Sequence, residues 1–255
     1  MTQVCSIAFV KQSFSAEINN KIVCIRQNSL ILFDQKVKSE ISKNRERVII
    51  IDIDLNTCMS FFTNTYNNAP LKCVTDECGL LIKENVLPSL TAPLFEFIEK
   101  TEHYAASSRV WLCMSLLSLF NEHNDVNSFI FTHMKSISYK VICIINAIPE
   151  KQWQLKDVSE RIYMSESLIK KKLKNEGASF TLLLIDIRMR LAKKLLSSGL
   201  YSISETAIKC GYKNTSYFIS SFKKYYGVTP LHHIKNTINN VNPTKVQYSN
   251  LGELY

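Results

Sequence analysis

The chain has 255 residues, 46% hydrophobic and 21% charged, with only 6 Gly and 6 Pro. That composition can bury a real core and excludes both wholesale disorder and a fibrous or linker-like chain. The formal net charge of +9 is lopsided: residues 1–140 hold 14 basic and 14 acidic residues, residues 141–255 hold 17 and 8, which points to a polyanionic partner for the second half.

The N-terminus, Met1 to Lys11, has too short an apolar run for a signal peptide. The next segments read as strands. Val4–Val10, Ile22–Ile25, Ser29–Phe33 and Val48–Leu55 are short, rich in β-branched and aromatic residues, and separated by Asn, Lys and Ser clusters. Asp52 and Asp54 alternate with apolar neighbours, which suggests the solvated side of a half-buried strand rather than an acid–base pair. From Ser89 the period becomes helical. Leu94, Phe97 and Ile98 fit one stripe; Val110, Trp111, Met114, Leu117, Leu119 and Phe120 fit a second, with Ser107 and Ser108 as caps. Val110–Phe120 is the longest apolar run and falls short of the roughly 18 residues a membrane span needs. The stripes at 94–120 read as core or as the interface of a homodimer. The Asn-rich stretch Asn121–Ser128 is expected to begin a linker.

Residues 137–235 read as almost wholly helical. Leu155, Val158 and Ile162 form one apolar face, the chain breaks at Tyr163-Met164, and Ser165 caps a helix over 166–174 that Gly177 ends. Trp153, just ahead, reads as a packing anchor. Phe180, Leu183, Leu184, Ile187, Leu191 and Leu195 then repeat along a long helix that Gly199 stops. A short helix at Ile203–Cys210, a turn at Gly211, and a helix Thr215–Tyr226 capped by Asn214 follow, ended by Gly227 and Pro230. The tail from Asn236 to Tyr255 shows no clear period. A short helix, tight turn and second helix therefore occur twice, at about 155–176 and 203–226. Two helix-turn-helix units joined by a stiff helix suit major grooves about one helical turn (~34 Å) apart.

On a helical wheel Ile169 and Leu173 point inward, while Ser167, Lys170, Lys171 and Lys174 cluster opposite. Lysine donates to guanine O6/N7 or to phosphate, and serine reads bases ambiguously. In the second unit Phe218 and Phe222 point inward, and Ser216, Ile219, Ser220 and Lys223 face out with Lys224 nearby. No Arg sits on this face, so Lys223, Lys224 and the helix N-terminus are expected mainly to hold phosphates. Arg188, Arg190, Lys193 and Lys194 on the long helix are either phosphate contacts or a plain exposed face.

Gly177-x-Ser179-Phe180, Arg188, Ala192 and Leu195-Leu196 resemble the middle of the AraC/XylS transcription-regulator signature. So does Ala207-x-x-x-Gly211-Tyr212-x-Asn214-x-Ser216-Tyr217-Phe218-x-x-x-Phe222-Lys223-Lys224-x-x-Gly227-x-Thr229-Pro230. The likeness spans about 140–235, and the segment Met164–Lys174 is similar to the enterobacterial virulence and acid-response branch. The resemblance implies an α+β protein with a small N-terminal β-barrel-like domain plus helices and a C-terminal all-α double helix-turn-helix domain. Its domains would be 1–130 for regulation or dimerisation and 137–235 for DNA binding, followed by a tail, 236–255. It implies an activator of virulence or stress genes that binds double-stranded promoter DNA and recruits RNA polymerase, with room for a small-molecule effector of unknown identity; the cysteine usage and the short apolar runs point to the cytoplasm.

By motif position, base contacts carry over to Ser167, Lys170, Lys171, Thr215, Ser216, Tyr217 and Ser220. Phosphate contacts are expected at Lys174, Asn214, Lys223, Lys224 and Arg190. Ser220 stands where many members carry Arg or Lys, and His233 where an aromatic is usual, which reads as packing.

Other chemistries are thinly supported. Cys73 and Cys78 lack a second Cys or His pair at zinc-ligand spacing, and no metal or cofactor motif is present. The eight cysteines are scattered through apolar runs and read as reduced, structural thiols. DNA-repair methyltransferases share this DNA-binding module, but their reactive Pro-Cys-His-Arg context is absent, as are phosphate loops and nucleophile elbows. No enzyme is expected. The remaining alternative is a low-specificity architectural or anti-silencing DNA-binding protein.

Overall fold

β-branched and aromatic runs in the first third pair into two antiparallel sheets. In the computed structural model, which describes residues 3–66, 71, 79–100, 106–120 and 123–241, these are β1 (Gln3–Val10), β2 (Phe14–Ile18), β3 (Lys21–Ile25), β4 (Leu30–Phe33), then α1 (Gln35–Ser42), β5 (Val48–Asp54), α2 (Leu55–Thr65) and β6 (Leu80–Lys83). Helices follow: α3 (Pro88–Lys100), α4 (Ala106–Ser118), α5 (His123–His133), α6 (Ile137–Ala147), α7 (Leu155–Ile162), α8 (Glu166–Asn175), α9 (Phe180–Ser198), α10 (Ile203–Lys209), α11 (Thr215–Tyr226) and α12 (Pro230–Val241). The protein is α+β, with its strands confined to the N-terminal part.

The barrel-like region consists of a four-stranded sheet, ordered β5-β1-β4-β6, and the β2–β3 hairpin. Asn19 and Asn20 turn that hairpin with φ of 50° and 62°, the two positive values that a two-residue type I′ turn requires. One sheet face shares a core with the hairpin and α1, through Val10, Phe14, Ile25, Phe33, Val37 and Ile41. The other face meets α3, where the rings of Phe9 and Phe95 lie 6.1 Å apart.

Several elements depart from the sequence reading. β2, β6, α1 and α2 were not anticipated. β5 stops at Asp54 rather than Leu55 because the Asp54 carboxylate accepts from Thr57 N (2.8 Å) and caps α2. Asp52 is taken up by Lys38 (2.7 Å) and Ser6 (2.8 Å). Asp34 caps α1, accepting from Lys36 N and Val37 N at 3.0 Å, and its other oxygen lies 3.5 Å from His133 Nε2.

The expected linker at 121–128 is instead largely the start of α5. Its Val126, Phe129 and Ile130 are buried, and buried Asn127 accepts from Thr65 Oγ1 at 3.1 Å. Tertiary burial outweighs the poor helix propensity of Asn and Ser. α4 begins at Ala106, so Ser107 and Ser108 lie inside its first turn rather than capping it. α12 runs to Val241, into the stretch from Asn236 where the sequence shows no clear period. Cys73 and Cys78 lie outside the described residues.

Burial pushes the Cys143 and Cys210 thiols up to about 12 and Cys113 to about 11, so these three are protonated, unreactive thiols at neutral pH. Among the described residues no helix is long and apolar enough to cross a membrane, and no His, Cys, Asp and Glu cluster is poised for a metal ion.

The chain forms two compact units: residues 1–147 with 155–180, and residues 148–154 with 181–255. The first contains α7 and α8; the second contains α10 and α11.

Candidate nucleic-acid interface

In the first unit, Leu155, Val158 and Ile162 bury one side of α7. The chain then reverses at Tyr163, which takes φ of 56°. Ser165 caps α8, its hydroxyl accepting from Leu168 N at 3.3 Å. Ile169 and Leu173 are buried, while Ser167, Lys170, Lys171 and Lys174 are exposed, the division that the 3.6-residue period requires. Lys170, Lys171 and Lys174 make no ion pair with any described residue. Three uncompensated ammonium groups on one face of a capped helix form an anion-attracting ridge.

The other end of α8 is held by a residue that the sequence reading missed. The Glu176 carboxylate accepts from Ile137 N (2.8 Å), Ser138 N (2.9 Å) and Ser136 Oγ (2.8 Å), the open first turn of α6. Burial pushes its pKa up, but the hydrogen bonds from Ser138, Ile137 and Ser136 outweigh this and hold it below the ordinary carboxylate value. The partners lie some forty positions back along the chain, so no local pattern marks them.

In the second unit α10 carries a capping box: Glu205 N–H donates to Ser202 Oγ (3.2 Å) and Ser202 N–H to Glu205 Oε2 (2.8 Å). Asn214 caps α11 as expected, its Oδ1 accepting from Tyr217 N at 2.9 Å, and Gly227 ends it in the left-handed conformation. Phe218 and Phe222 are fully buried. Ser216, Tyr217, Ser220, Lys223 and Lys224 are exposed, and Thr215 is half-buried. Asn214 commits its carbonyl to the cap and keeps its amide N–H groups. Ile219 is not the exposed apolar contact the wheel suggested; it packs partly against the core of this unit. His233 packs as expected, its ring 5.8 Å from that of Phe222 and its Nε2 3.0 Å from Ser197 Oγ.

α9 buries Ile187 as the sequence reading has it, but its fully buried residues also include Met189, Ala192 and Leu196, which that reading did not pick. The core of the second unit takes Met189, Ala192 and Leu196, with Ile185, Leu191 and Leu195 partly buried. Arg188 is therefore not part of an exposed basic face. Its guanidinium lies 5.2 Å from the Tyr212 ring centroid and reaches Lys151 O at 3.3 Å, and burial lowers its pKa. In the same cluster Gln152 donates to Gly211 O, and Trp153, buried as expected, donates its indole N–H to Ile148 O (2.8 Å). Arg190 is exposed but bound to Asp186 at 2.9 Å, and Tyr225 also donates to Asp186. Lys193 lies over the Tyr226 ring at 5.4 Å. Asp186 was not anticipated; its spacing of four from Arg190 was the available signal.

Residues 2–134 match the family described as the N-terminal domain of the HTH-type transcriptional regulator AppY, and residues 158–236 match the helix-turn-helix domain family. The chain is 31% identical over 231 residues to the HTH-type transcriptional regulator YdeO of Escherichia coli strain K12, covering 90% of each chain. It is 38% identical over 125 residues to the transcriptional activator PerA of Escherichia coli O127:H6, covering 49% of this chain and 46% of PerA. A crystal structure of a DNA-binding transcriptional dual regulator from Escherichia coli K-12 aligns at 35% identity and a TM-score of 0.41, over 42% of this chain and 96% of that one.

Proposed function

From the premise that this chain belongs to the AraC/XylS family of helix-turn-helix transcription regulators, with an AppY-type N-terminal domain, we propose that it is a sequence-specific DNA-binding regulator, an activator acting at promoters in the cytoplasm. Residues 137–235 bind DNA; residues 1–130 serve regulation and dimerisation. The observation that carries the reading is the exposed face of α8, where Ser167, Lys170, Lys171 and Lys174 stand opposite buried Ile169 and Leu173 with no ion pair to any described residue. In this reading α8 enters a major groove, Ser167, Lys170 and Lys171 meet base edges, and Lys174 holds phosphate. α11 offers Thr215, Ser216, Tyr217 and Ser220 to bases, and Asn214, Lys223 and Lys224 to phosphates. Arg190 joins the phosphate contacts when it leaves Asp186. Recruitment of RNA polymerase, response to a small-molecule effector and homodimerisation through helices at 94–120 are part of the proposal.

The test compares affinity for promoter fragments, found by genome-wide mapping of bound DNA, with affinity for random duplex. A regulator of this kind should prefer its sites by about 10³ or more at physiological salt. A much smaller gap would make the protein an architectural DNA binder instead.

A further inference from the structure

Among the described residues β5 is an edge strand, paired with β1 alone in the order β5-β1-β4-β6. Which of its backbone groups are free follows from the alternation of antiparallel pairs. Val10 N–H donates to Ser29 O (3.0 Å) and Val10 O accepts from Asn28 N (2.9 Å), so Val10 is turned away from β5. Its neighbour Lys11 donates to Arg47 O (2.8 Å), on the β5 side. The register Val10↔Val48, Ala8↔Ile50, Ser6↔Asp52 is unbroken. Ile49 and Ile51 therefore carry the ladder, and the N–H and C=O groups of Val48, Ile50 and Asp52 face outward. No described residue outside the strand bonds them.

These outward groups lie along a cavity of about 390 Å³ lined by every residue from Val48 to Asp52. Lys38 and Arg45 border it on the α1 side, Glu99 and Arg109 on the side of α3 and α4. An open edge is a template for another strand.

The charges select its chemistry. Lys38 is committed to Asp52. Among the described residues neither Arg45 nor Arg109 has an ion-pair partner; Arg109 Nη1 lies 3.4 Å from Ile98 O. Glu99 is also unpaired among them, so the lining carries two guanidinium groups without an ion pair against one such carboxylate.

We propose that the free edge of β5 docks an extended, acidic segment of a partner protein as an added strand, with a carboxylate of that segment between Arg45 and Arg109. Backbone hydrogen bonds would supply affinity and the arginines selectivity. The proposal is independent of the DNA-binding reading.

The probe is a short fluorescein-labelled peptide of alternating valine and glutamate, titrated with the full chain and followed by anisotropy. A twin with lysine for glutamate, and a third peptide with alternate amide nitrogens methylated, are its controls. The acidic peptide should bind about tenfold or more tighter than either control. Ile50→Pro should weaken it about tenfold, since proline removes an outward N–H that the ladder does not use. Arg45→Glu with Arg109→Glu should reverse the preference between the charged twins, and keeps the test sound if Ile50→Pro does not fold. Equal binding of the twins, indifference to methylation, or no binding at millimolar peptide would overturn the proposal. So would a dimer in sedimentation that Ile50→Pro dissociates, which would give the edge to a second copy.

Discussion

Glu176, the C-cap of α8, accepts the amide proton of Ile137 at the start of α6, 2.8 Å away. The far end of α8 is thereby fixed to α6 by one carboxylate with three donors. The pKa of that carboxylate is lowered on folding, so its contribution to stability is present above the ordinary value of about 4.3 and is lost as pH falls through the folded-state value. Glu176→Ala should cost about 1 kcal/mol at pH 7, the usual worth of a helix cap. The difference from the wild type should shrink as pH falls below that ordinary value. Thermal melts across that range check both points; a penalty independent of pH would contradict the assignment.

The place a Cβ would take on Gly211 is 2.7 Å from Arg188 Nη2 and 3.0 Å from Pro149 O, and φ there is +74°. Gly211→Ala must therefore accept a left-handed backbone and displace a carbonyl that belongs to the main chain. A loss of about 2 kcal/mol or more is expected, read as a fall in Tm. A change below about 0.5 kcal/mol would mean that the cluster around Arg188 is looser than drawn.

Lys171→Ala should cost about 1–3 kcal/mol on a specific site if the ammonium meets a base, and much less on random duplex. Equal weakening on both would make Lys171 a phosphate contact. Lys223→Ala should leave preference unchanged and lower the slope of log affinity against log salt by about one.

Arg190 is held by Asp186 in the free protein. Asp186→Ala removes a carboxylate from beside a would-be phosphate ligand and should tighten DNA binding about two- to threefold at low salt, the modest scale of an exposed pair. The gain should vanish when Arg190→Ala is added. Unchanged affinity in the single variant would remove Arg190 from the interface.

The helical two-thirds of the chain were largely legible because their determinants are local. The caps Ser165 and Asn214 meet their amides three residues on, and the apolar positions Ile169, Leu173, Phe218 and Phe222 repeat at four. Spacing of that kind needs no knowledge of the rest of the molecule. The exposed lysines of α8 followed from the same wheel. The N-terminal part was less legible. Sheet pairing joins residues far apart, such as Ser6 and Asp52, and α5 forms from Asn- and Ser-rich sequence because its apolar residues find a core made by other elements.

By itself, then, the sequence determined where the helices between 155 and 226 begin and end to within a residue or two, where the basic excess lies, and which family signature the chain carries, since each is written in neighbouring residues. Only the tertiary structure decided that Arg188 turns inward, that Asp186 holds Arg190, that Glu176 ties α8 to α6, and that one edge of β5 stays open. Those outcomes depend on which distant groups share a small volume, where burial and pairing across long loops set the energy and no local period carries the information.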